Sequence, residues 1–122
     1  EHLLDPIKFF YNMAKKSSVK YFCITIPYLK NSRVGFHHIR QNEKSKKVHA
    51  ENVHIFELSS DDWDLVFKFS GWKISYSEKY LQYPNSGLFR LTQPLWKKWD
   101  FEGFYGVILE KDPTYSDLYQ DW

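Results

Sequence analysis

The sequence predicts an α/β fold of three main strands with flanking helices, the first two strands parallel and the last one antiparallel and inserted between them. Three observations carry this. Residues 19 to 26 and 104 to 109 are near-continuous apolar runs rich in β-branched and aromatic residues, the pattern of strands covered on both faces. Residues 72 to 80 alternate instead, as a strand does when one face is wet. Helical patterns precede the first strand and separate it from the alternating one. That crossover makes those two strands parallel, and the last strand, arriving without a helical crossover, runs antiparallel in the inner position its apolar character suits.

The first element is "DPIKFFYNMAKKSS". Asp5 caps it, Pro6 suits the first helical position, and Ile7, Phe10, Tyr11 and Ala14 recur along one face. "VKYFCITIPY" follows as the first strand, stopped by Pro27, with Cys23 read as a small buried hydrophobe. Residues 29 to 58 read as a long irregular segment. Then Ser59, with Asp62 three residues on, marks a helix start; Trp63, Val66 and Phe67 form its apolar face, and Gly71 ends it. Asp61, Asp62 and Asp64 complement the helix dipole, so their first reading is structural. In "WKISYSEKY", Trp72, Ile74 and Tyr76 share one face, and Lys73, Ser75 and Ser77 the other. Residues 81 to 103 read as irregular, broken by Pro84, Asn85, Gly87 and Pro94, and residues 113 to 122 as a tail.

A chain of 122 residues with a net charge of +2 has room for one domain and no bias toward nucleic acid. No apolar run approaches a membrane span, and the expected setting is soluble and cytoplasmic. A single cysteine excludes a multi-cysteine zinc site, and the histidine spacing matches no standard metal motif, so no metal site is read from the sequence. The chain opens at Glu1 directly into helix-like sequence, which reads as a piece of something longer.

Chemistry-bearing residues gather in the two irregular segments. His37, His38, His49 and His54 lie in the first, and imidazole serves as a base near neutral pH. Lys30, Arg33, Arg40, Lys44, Lys46 and Lys47 outnumber Glu43 and Glu51 there, which suits an anionic substrate or, as readily, a solvated loop. The second segment offers Arg90, Trp96, Trp99 and Phe101, which either stack on a ring substrate or roof the core.

The order of "EHLLDPIKFFYNMAKKSS", "YFCITIPY", "HIFELSSDDWDLVFKFSGWKI" and "FYGVILEKD" resembles the C-terminal half of class I S-adenosylmethionine-dependent methyltransferases, over most of the chain to Asp112. The resemblance implies a Rossmann-like sheet whose last strand inserts between the fifth and sixth, S-adenosylmethionine as cofactor, and a small molecule or glycan as acceptor. Among the loop histidines, His54 stands at the helix entry where the resemblance is closest and is the first candidate for the base, with His37 and His38 next, the alternative being that His54 caps or packs the loop. The resemblance leaves Glu1 and His2 as the remaining cofactor contacts. Tyr28, Arg33, Arg40, Arg90, Trp96 and Trp99 are the corresponding substrate-binding candidates. The family's glycine-rich cofactor loop and ribose-binding acid would lie upstream of Glu1, so this chain alone is expected to bind the cofactor poorly or not at all. The alternative is a non-catalytic α/β module that dimerises, or pairs with its missing N-terminal half, through an exposed strand edge.

Overall fold

The computed structural model describes residues 1 to 35, 54 to 82 and 87 to 118. Helix α1 (Pro6–Lys15) leads into β1 (Tyr21–Leu29), a two-residue ladder joins β2 (Arg33–Val34) to β3 (Phe56–Glu57), and α2 (Ser60–Phe69) precedes β4 (Trp72–Leu81). A 3-10 helix (Gly87–Thr92) and α3 (Gln93–Trp99) then lead to β5 (Glu102–Lys111). The main sheet has the order β1-β5-β4. Among the described residues, no helix is long and apolar enough to cross a membrane.

Both ladders of the main sheet are antiparallel, so no parallel ladder forms where the sequence led us to expect parallel strands. The physical reason is position. The last strand fills the space between β1 and β4, and each outer strand exchanges hydrogen bonds only with it. The outer strands therefore point the same way, and their carboxyl ends lie at one edge of the sheet beside the start of β5.

The helices begin where the sequence signals them. Asp5 accepts the Lys8 N–H at 2.8 Å and Ser59 accepts the Asp62 N–H at 3.2 Å, each satisfying an orphan donor of a first turn. Gly71, at φ 90°, closes α2 in a conformation that costs glycine little. Helices α1 and α2 pack on one face of the sheet, where Phe10, Ile26, Trp63, Phe67, Trp72, Tyr105, Val107 and Leu109 form the core. Phe10 and Phe67 meet edge to face with centroids 5.0 Å apart. Two indole N–H groups tie helices to strands: Trp63 donates to the Pro27 carbonyl at 3.2 Å and Trp72 to the Phe10 carbonyl at 2.9 Å.

The opposite face of the sheet is bare among the described residues, and this corrects several expectations. In β1 and β5 only alternate residues are buried, so the two apolar runs are covered on one face rather than both. Cys23 is exposed on the bare face instead of buried. Strand β1 continues through Pro27 to Leu29, because an edge strand tolerates a residue without an N–H. In β4 a register irregularity between Ile74 and Tyr76 turns Tyr76 to the face opposite Trp72 and Ile74, against the even alternation of the sequence. Residues 81 to 103, expected to be irregular, contain the 3-10 helix and α3. Pro94 sits at the start of α3, where it initiates rather than breaks the helix. In the tail, Lys68 holds its ammonium 3.8 Å from the centroid of Tyr115.

Candidate functional site

A cleft of about 290 Å³ opens at the carboxyl ends of β1 and β4, with Glu1, Tyr28, His54, Glu57, Glu102 and Gly103 among its walls. The backbone builds it. The Glu1 carbonyl accepts the N–H groups of Ile55 at 3.0 Å and Phe56 at 3.4 Å, which holds the N-terminal residues against the segment entering β3. Leu29 N–H donates to the Leu58 carbonyl at 3.1 Å and closes that segment onto the end of β1. Residues distant in sequence are thereby fixed side by side.

His2 Nε2 lies 3.3 Å from Glu1 Oε1, and His54 Nδ1 lies 3.7 Å from both Glu1 Oε2 and Glu57 Oε1. The His2 and His54 rings meet edge to face at 4.7 Å. Glu57 is held in turn by Arg33, whose Nε and second guanidinium nitrogen donate to it at 2.5 and 3.0 Å. That hydrogen bond raises the Arg33 pKa above its already high value, so Arg33 serves here as the fixed counter-ion of Glu57.

Tyr28 forms the inner wall. Its hydroxyl donates to Asp100, which also accepts from Lys79 Nζ at 2.9 Å, and that ammonium lies 4.9 Å from the Tyr28 ring centroid. Burial works against the Asp100 carboxylate, but the bonds from Tyr28 and Lys79 and the charges of Lys79 and Lys30 outweigh it and hold its pKa below the ordinary carboxylate value. A depressed carboxylate pKa contributes stability that is present above the unfolded value, about 3.9, and lost as pH falls through the folded one. The stability advantage of the wild type over Asp100→Asn, measured by urea unfolding at a series of pH values, is expected to shrink on acidification below about pH 4. Asparagine tolerates the φ of 47° at this position, so the comparison isolates the charge.

Five sequence candidates thus gather at one end of the sheet: Glu1, His2, Tyr28, Arg33 and His54. Others do not join them. Arg90 lies on the 3-10 helix beside Lys97, lining a separate hollow. Trp96 donates its indole N–H to Thr92 Oγ1 at 2.9 Å and packs edge to face on Trp99 and Phe101, so these rings make contacts with one another. His37, His38, Arg40 and the rest of the basic run in residues 36 to 53 lie outside the described residues. Sequence reasoning missed Glu57, Lys79, Asp100 and Glu102; for Glu57 the available signal was its place three residues after His54.

Outside the cleft, Asp64 accepts the Tyr105 hydroxyl at 2.9 Å, with desolvation the main influence raising its pKa. Its role is to anchor α2 to the central strand. Comparison of the chain with protein-family models, with curated proteins and with solved structures gives no match in any of the three.

Proposed function

We propose that the chain is the acceptor-side half of a class I S-adenosylmethionine-dependent methyltransferase domain that acts on a small molecule or glycan. The observation that carries this reading is the meeting of the two segments behind the resemblance: "EHLLDP" and "HIFELSSDDW" converge on one cleft, with His2 and His54 in ring contact at 4.7 Å. The cleft also lies where strand ends converge, the place at which open α/β sheets bind ligands. Methyl transfer is an in-line displacement that dissipates sulfonium charge, so alignment of donor and acceptor is the main task. His54 acts as base for an acceptor hydroxyl or amine, with the Glu1 and Glu57 carboxylates 3.7 Å from its Nδ1. Arg33 steadies Glu57, and Tyr28 walls the acceptor side.

Calorimetric titration with S-adenosylhomocysteine tests this on the protein of native length and, in parallel, on the 122-residue chain. The expected result is one equivalent of binding in the first and little heat in the second. No heat in either removes the methyltransferase reading.

A second reading is favoured by a different observation. Strand β1 lies at one end of the sheet, and the face left uncovered among the described residues carries exposed Tyr21, Tyr76, Tyr80, Phe104 and Ile108. An apolar face beside an open strand edge suits a module that pairs with a copy of itself. Sedimentation over a concentration series gives a dimer under this reading, and a strict monomer at the highest concentration removes it.

A further inference from the structure

We propose that Glu1, His2 and His54 form a binding site for a divalent transition-metal ion, open toward the cleft. Each of the three offers one ligand atom, and these atoms all lie within 4.8 Å of one another. Donors about 2.0 to 2.2 Å from a common tetrahedral ion stand about 3.3 to 3.6 Å apart. His2 Nε2 stands 3.3 Å from Glu1 Oε1 and His54 Nδ1 3.7 Å from Glu1 Oε2, so the two imidazoles approach different oxygens of one carboxylate, and the donor set, spread over up to 4.8 Å, must draw together to close on an ion.

The arrangement is held from outside the ligands. Backbone hydrogen bonds from Ile55 and Phe56 to the Glu1 carbonyl, at 3.0 and 3.4 Å, bring the two ligand-bearing segments together. Glu57 lies 3.7 Å from His54 Nδ1 but is engaged in two bonds from Arg33, so it completes the surroundings rather than the ligand set. Glu57 is neutralised by Arg33, and Glu102 adds a further carboxylate to the cleft wall, which favours a cation over an anion there. Two imidazoles and one carboxylate select a borderline ion such as zinc, cobalt or iron(II) over magnesium or calcium, which prefer all-oxygen sites. Three protein ligands leave coordination positions facing the cleft, so an acceptor hydroxyl or a water could bind the ion and lose its proton more easily.

This inference goes beyond the methyltransferase reading and revises the part His54 plays in the cleft, from free base to ligand. It does not depend on the cofactor, so the two can fail separately.

Cobalt(II) alone is the probe, titrated into the untagged, chelator-treated chain while ligand-field absorption in the visible is recorded. The expected result is saturation at one equivalent, displacement by zinc, and a weakening of about tenfold or more in His54→Gln and in Glu1→Gln. Glu110→Gln, which removes a carboxylate paired with Lys73 at the other end of β5, leaves the titration unchanged. Cobalt should also raise the unfolding midpoint of the wild type and not of His54→Gln. Absence of ligand-field bands up to millimolar cobalt overturns the proposal. Equal affinity in His54→Gln overturns it as well, and so does binding that disappears when the α-amino group is acetylated, which would assign the ion to the chain terminus.

Discussion

Trp72→Ala is expected to destabilise the chain by about 3 to 5 kcal/mol, a large part of the total of about 5 to 15 kcal/mol that a domain of this size has. Trp72 is 1 % exposed, and its ring lies 5.9 Å from that of Phe22. Its indole N–H reaches the Phe10 carbonyl, so one side chain joins the start of β4 to the middle of α1. Truncation removes the largest block of apolar surface at this junction and leaves a cavity that the rigid sheet cannot collapse to fill. Trp72→Phe separates the two contributions. It retains much of the ring packing and loses the hydrogen bond, with an expected cost nearer 1 to 2 kcal/mol. Urea unfolding of both variants checks this; equal stability of the Ala variant and the wild type would mean that α1 is not held by this contact.

The junction at Trp72 was only partly legible in the sequence. Helix starts were, because Asp5 with Pro6, and Ser59 with Asp62, are local signals that act through the backbone groups of a single turn. The inner place of β5 was legible from its apolar run, and the edge place of β4 from its alternation. What the sequence could not show is which face of each strand remains uncovered. Phe104 and Ile108 are as apolar as Tyr105 and Val107, yet only the second pair is buried. Hydrophobicity marks the residues that can be covered, and the count of helices on each face decides which ones are. The bulge beside Ser75 was hidden for a related reason: period-two alternation carries no mark of an inserted residue, so Tyr76 was assigned to the wrong face.

Of the residues that meet at the cleft, the sequence singles out Glu1, His2, Tyr28, Arg33 and His54 but neither Glu57 nor Glu102, and it gives no sign of their assembly. Glu1, His2 and His54 stood out separately, but rules for metal or catalytic motifs work on short spacings, and these residues meet only because the backbone of Ile55 and Phe56 bonds to Glu1. Asp100 gave no signal at all. It follows an aromatic-rich helix, caps it in a left-handed conformation and reaches Tyr28 across the sheet edge, a long-range contact that no local pattern encodes.

Gly103→Ala is the substitution expected to damage the cleft and the sheet together, by about 2 to 3 kcal/mol. Replacing a strand glycine by alanine ordinarily helps by about 0.4 to 1 kcal/mol, because it narrows the unfolded ensemble. At Gly103 the added Cβ would run into the Tyr80 carbonyl oxygen and stand 3.0 Å from the Leu81 Cα, both backbone atoms of the neighbouring strand, and 3.1 Å from Tyr28 Cε1. Backbone in a paired ladder cannot rotate aside, so β4 and β5 must separate at the end that borders the cleft. Tyr28, which leans over Gly103, would be displaced from Asp100, and the stabilising effect of that pair would fall with it. Gly106→Ala supplies the contrast within the same strand. Its Cβ would meet Tyr80 Cε2 at 3.2 Å, the edge of an exposed ring that can swing away, so a change within about 1 kcal/mol is expected. If the two variants unfold at the same urea concentration, the close approach at Gly103 is not what sets the geometry of the cleft.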